Sequence, residues 1–178
     1  NGRVRLSRRT SQYGNTIVVR HDNGLETVYA YNAQNLVQVG TRVKAGQTIA
    51  IAGGDNGRVY CLFAIMVNGG WINPETVINP KSHKLRKQVL QCKKTGKNVS
   101  VTVINQEKDE NTSLDPDISN DDYENGSSLK IDLKKIEQQH WAYPLPDAKV
   151  ISPYGGRGGR VHSGVDIKTK ANDEILAA

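Results

Sequence analysis

An imidazole and a carboxylate separated by three residues in a glycine-rich loop can converge on one divalent cation. The chain holds one such pair, His162 and Asp166, within SPYGGRGGRVHSGVDI from Ser152 to Ile167. The pair is half of a catalytic zinc site, because a reactive zinc takes three protein ligands and keeps a further position for water. Taken alone, His-x-x-x-Asp is more often a surface turn than a ligand set. In the same loop Arg157 and Arg160 carry planar donor forks suited to carboxylates. Cys61 and Cys92 lack Cys-x-x-Cys spacing, which removes a zinc ribbon and leaves a disulfide between them open.

The elements that must position these groups read as strands. Of 178 residues 17 are glycine, and Val, Ile, Thr and Tyr recur in short runs between Gly, Asn and Asp turn signals, so the fold class is all-β. GRVRLSRRTS, a turn at Tyr13-Gly14-Asn15, TIVVRH and LETVYAY form successive hairpin strands, with His21 most simply a residue of the His21-Asp22-Asn23-Gly24 turn. In RVYCLFAIMVNGGWINPETVI side chains alternate, which puts Tyr60 and Leu62 on one face and Cys61 and Phe63 on the other. Residues 81–104 carry seven Lys or Arg and no acid, whereas residues 105–137 carry ten Asp or Glu against four Lys. The basic tract has no aromatic or helical platform for bases, so nucleic-acid binding is not expected. The acidic stretch is poor in apolar residues and reads as a disordered or loosely packed linker. VSVTVI (Val99 to Ile104) reads as a strand and KIDLKKIEQQHW (Lys130 to Trp141) as a short helix. No run of 18 apolar residues and no charged-then-apolar leader occurs in the sequence.

Four segments together resemble one family: YGNTIVVRHDNGLETVYA, VQVGTRVKAGQTIAIAGG, LFAIMVNGGWINP and YPLPDAKVISPYGGRGGRVHSGVDI. In these the chain is similar to the lysostaphin-type (LytM-like) zinc endopeptidases of bacterial peptidoglycan. Their order is permuted, since the family's opening segment is Trp141 to Ala178 and its continuation is Asn1 to Ile78. A circular permutation, a truncated tandem and fragments out of chain order each account for this. One fold containing both pieces requires the two ends to lie within roughly 7 Å. The resemblance implies an antiparallel β-sheet domain with tight Gly-rich hairpins, built from residues 1–78 and 141–178 together, with 79–140 as a charged linker or tail that has at most a short helix or strand. The VQVGTRVKAGQ hairpin also looks like a biotinyl or lipoyl domain, but no acceptor-lysine turn accompanies it.

In the family, zinc is held by the first His and the Asp of His-x-x-x-Asp and by the second His of a later His-x-His; two further histidines assist the water. His162 and Asp166 match the first pair. The remaining positions fall on Tyr31, Tyr60 and Leu62. The resemblance therefore implies a degenerate member, catalytically inactive and needing no cofactor, that binds peptidoglycan peptide or glycan or regulates a cell-wall hydrolase. Tyr31, Tyr60, Tyr154, Arg157 and Arg160 are its candidate binding residues. The alternative is an active zinc endopeptidase with an unusual ligand set. Either reading implies the periplasm, the cell envelope or secretion.

Overall fold

The computed structural model describes residues 1–104, 128–138, 140–146 and 148–178. The elements run β1 (Gly2–Thr10), β2 (Gly14–His21), β3 (Leu25–Asn35), β4 (Arg42–Val43), β5 (Thr48–Ala52), β6 (Tyr60–Val67), β7 (Gly70–Ile72), a 3₁₀ turn (Pro74–Thr76), β8 (Val89–Thr95), β9 (Asn98–Ile104), β10 (Ser128–Asp132), α1 (Leu133–Gln138), β11 (Val150–Ser152), β12 (Gly155–Arg157), β13 (Arg160–His162), β14 (Val165–Lys168) and β15 (Glu174–Leu176). The main sheet is antiparallel in the order β11-β14-β6-β3-β2-β1-β4; β5 joins β3 and β15, and β7 extends β6. The all-β expectation is met.

Strands from both ends of the sequence share this sheet. β14 pairs with β6, joining Asp166 to Leu62 and Lys168 to Tyr60. Asn1 and Ala178 line one cavity of about 40 Å³ together with His21, Thr27 and Trp141. The hairpins follow from their turn residues. Asn68 and Gly69 both have positive φ, 53° and 76°, which a two-residue turn between the paired Val67 and Gly70 demands.

The core lies on one side of the sheet, where alternate residues such as Ile17, Val19, Tyr29, Phe63 and Ile167 are buried. A second sheet, β10-β8-β9, delivers Leu90, Cys92, Leu129 and Ile131 to that same core. The two sheets meet closely at Gly70, where an added Cβ would fall 2.5 Å from Val99 Cγ2. The described part of the charged segment is thus built of paired strands, with the expected β9 present. The helix expected from Lys130 is shorter than the sequence pattern suggested. Ser128–Asp132 is a strand because Leu129 and Ile131 alternate inward opposite Cys92 and Leu90, and the helix starts only at Leu133, where Asp132 Oδ1 accepts the Lys134 amide. The acidic expectation over 105–127 lies outside the described residues.

Two further sequence readings are sharpened. His21 does open its turn, its carbonyl accepting from the Gly24 amide at 3.1 Å, and its ring also meets the Asn1 carbonyl and Thr27 Oγ1, both at 2.8 Å. Cys61 and Cys92 form no disulfide: both are free and buried, and burial pushes each thiol up to about 12. Among the described residues no helix is long and apolar enough to cross a membrane.

Candidate functional site

The outward face of the sheet carries the positions that the resemblance singles out. Because side chains alternate, β6 presents Tyr60, Leu62, Ala64 and Met66 on this face, while Cys61 and Phe63 enter the core. Leu62 stands across from Asp166 on β14 and from Ala30 on β3. Gly164, between His162 and Asp166, lets the two strands close, since a Cβ there would fall 2.4 Å from the Phe63 carbonyl oxygen.

His162 ends β13 and is held on both nitrogens. Nδ1 is 2.8 Å from the Pro153 carbonyl oxygen and Nε2 is 3.1 Å from Asp166 Oδ1. Arg157 donates to the same Pro153 oxygen at 3.1 Å, with its Nη2 3.2 Å from His162 Nδ1. Arg157 therefore folds back on the loop, whereas Arg160 is exposed. Tyr154 is partly buried and packs against the main core.

Tyr31 and Tyr60 do meet, with ring centroids 5.3 Å apart. Tyr31 sits at φ 59°, a conformation unusual for an aromatic residue and costing on the order of 1–3 kcal/mol. Backbone bonds impose it: the Tyr31 amide donates to the Tyr13 carbonyl, and the Gly54 amide donates to the Tyr31 carbonyl. The ring series extends beyond the two expected tyrosines. Tyr13 lies edge-on to Tyr31 and to Trp71, each at 6.2 Å, and its hydroxyl is 3.2 Å from Ser163 Oγ. Tyr13, Ser163 and Trp71 were not among the residues expected from sequence. The only local signal was the placement of Tyr13 in a turn; the contacts themselves span up to 150 positions.

The electrostatics keep the phenols neutral. Burial, then the neighbouring Tyr31 and Asp166, raises Tyr60 far above the usual tyrosine range, and burial followed by Asp55 raises Tyr31. Neither offers a phenolate at physiological pH, and the inward-facing Cys61 offers no thiolate. The residues present do not fit the zinc of the family: His162 and Asp166 are two donors, the third position is an alkyl chain 2% exposed, and the described residues contain no cluster of three His, Cys, Asp or Glu suited to a metal. What the arrangement can do is stack rings on a flat partner and exchange neutral hydrogen bonds through hydroxyls.

Comparison with known proteins agrees with this fold. The sequence model of peptidase family M23 matches residues 1–74. Murein hydrolase activator EnvC of Escherichia coli (strain K12) is 42% identical over 76 residues, covering 42% of this chain and 18% of that protein. Peptidoglycan DD-endopeptidase ShyC of Vibrio cholerae serotype O1 (strain ATCC 39315 / El Tor Inaba N16961) is 41% identical over 75 residues, covering 40% and 17%. The uncharacterized lipoprotein YgeR of Escherichia coli (strain K12) is 38% identical over 73 residues, covering 40% and 29%. The chain spans less than a third of the length of each of these relatives. Residues 1–74, and the strands they build, are thus similar to peptidase family M23.

Proposed function

We propose that the chain is a non-catalytic M23-type protein of the bacterial cell envelope that binds peptidoglycan on the outward face of its main sheet, or regulates a cell-wall hydrolase there. The observation that carries this reading is Leu62, an alkyl side chain facing Asp166 where the family places its third zinc ligand. An open zinc that activates water needs that ligand. The phenols of Tyr13, Tyr31 and Tyr60 with Trp71 supply a ring series suited to sugar faces and peptide. Similarity to both a named activator and a named endopeptidase supports the same general setting. A second reading, an active endopeptidase with an unusual ligand set, is favoured by one observation: the His162 Nε2 to Asp166 Oδ1 approach persists at 3.1 Å.

Metal analysis alongside a peptidoglycan sedimentation assay tests the proposal. Saturable binding to purified sacculi is expected without release of soluble peptides, with binding weakened in a Tyr31→Ala, Tyr60→Ala variant. Stoichiometric zinc together with chelator-sensitive cleavage that His162→Ala abolishes would establish the second reading instead.

A further inference from the structure

The far end of the main sheet carries a separate feature. β1 pairs with β2 along its whole length, but on its other side the two-residue β4 covers only Gly2 and Arg3. The loop before β4 adds two bonds, from the Val4 amide to the Thr41 carbonyl and from the Gly40 amide to the Val4 carbonyl. From Arg5 to Thr10 that side of β1 has no backbone partner among the described residues. Such an edge is a template for another strand.

Its charges select the strand. Arg3, Leu6 and Arg8 lie opposite Arg20, Val18 and Thr16 and so share one face, and Arg42 lies opposite Arg3 on the other side. Arg42, Arg3 and Arg20 thus form a row across three strands, and like charges directly opposite one another oppose pairing. Glu26 engages Arg5 and Arg20. The side chains of Arg3, Arg8, Arg9 and Arg42 make no hydrogen bond or ion pair among the described residues. Guanidinium forks match carboxylates bidentately. We propose that the open edge of β1 from Arg5 to Thr10 docks an extended, acidic peptide segment of a partner protein by strand addition, the carboxylates of one face meeting Arg3, Arg8 and Arg42, while Arg9 lies on the other face. A glycan or polyphosphate satisfies the charges but not the ladder, and a second copy of this edge sets arginine against arginine. The inference is independent of how the tyrosine-lined face is used.

The probe is a fluorescein-labelled ten-residue peptide alternating Glu and Thr, titrated onto the full chain by anisotropy beside the same peptide N-methylated at alternate amides, and beside polyphosphate. The expected result is saturable binding, weakened about tenfold or more by N-methylation and about tenfold in the Arg8→Glu, Arg9→Glu variant, with slowed hydrogen exchange of the amides between Arg5 and Thr10. Equal binding of the methylated peptide, or of polyphosphate with no added protection, would reduce the edge to a charged surface and overturn the proposal. Absence of binding, or protection of β1 through concentration-dependent dimerisation without peptide, overturns it as well.

Discussion

The proposed loss of metal chemistry turns on Leu62. It is 2% exposed and stands across from Asp166, so an imidazole there would face the carboxylate whose Oδ1 meets His162 Nε2. In Leu62→His we expect elemental analysis after dialysis against zinc to find about one equivalent per chain, against a small fraction of that in the parent. An unchanged metal content would mean that His162 and Asp166 are not placed as ligands; a full equivalent in the parent would mean that a third donor reaches the pair from elsewhere. Part of this was legible from residues alone. The His-x-x-x-Asp spacing located His162 and Asp166, and strand alternation put Tyr60 with Leu62 and turned Cys61 away. Tyr13 and Trp71 were not legible, because their meeting depends on the β1–β2 turn reaching a strand almost 60 positions away, which no local pattern encodes.

At the scale of elements, the β1–β2–β3 array is held by one carboxylate. Glu26 on β3 is 1% exposed, accepts from Arg5 at 2.6 and 2.9 Å and from Arg20 at 3.0 Å, and faces Arg20 and Met66 across the sheet. Arg5 reaches it because the pairing of β1 with β2 shifts register between Val4 and Leu6. Glu26→Gln keeps the shape and removes the charge, leaving two guanidinium groups one carbonyl oxygen and setting an amide NH2 against the other donor; a loss of about 2–3 kcal/mol in urea unfolding is expected. A loss below about 0.5 kcal/mol would show that solvent screens the cluster. Gly164 tests a different junction. In Gly164→Ala the new methyl must displace β14 from β6, so stability should fall by about 1–3 kcal/mol, and adding the substitution to Leu62→His should remove any zinc gained. The hairpins were readable because their turn residues are local signals, Asn68-Gly69 being the plainest. The start of α1 was not readable: Leu129, Leu133 and Ile136 have helical spacing while Leu129 and Ile131 have strand spacing, and pairing with β8 decides between them.

At the scale of the whole molecule, a chain of hydrogen bonds, buried at Ala178 and Tyr29 and exposed at Asn1, crosses the fold. The Ala178 amide donates to Tyr29 Oη at 2.8 Å, Tyr29 donates to Thr27 Oγ1 at 2.9 Å, and Thr27 Oγ1 stands 2.8 Å from His21 Nε2, whose Nδ1 lies 2.8 Å from the Asn1 carbonyl. The Asn1 carbonyl can only accept, so His21 Nδ1 donates to it, and in the neutral ring Nε2 accepts the Thr27 proton. The ring is then neutral with its proton on Nδ1, donated to Asn1. Protonating Nε2 forces the Thr27 hydroxyl to turn its proton away, and burial is the largest cause that disfavours the cation, with His21 pushed down to about 4 from 6.5. Above pH 6.5 neither the folded nor the unfolded histidine carries the extra proton, and this contribution to stability is complete. As pH falls from 6.5 towards 4 the unfolded chain takes up a proton that the folded chain refuses, so stability declines, and below 4 both states are protonated and the decline from this residue ends. The shift corresponds to about 3 kcal/mol across that window. Carboxylates titrate in the same range, so the measurement is a comparison: urea midpoints at pH 7 and pH 4.5 for the parent and for His21→Gln, which has no such proton to take up. Parent stability should drop by about 2–3 kcal/mol more than that of the variant. Parallel declines in the two proteins would mean that His21 is solvated well enough to charge in the folded state, and that the bonds from Ala178 to Asn1 do not act as one directed chain.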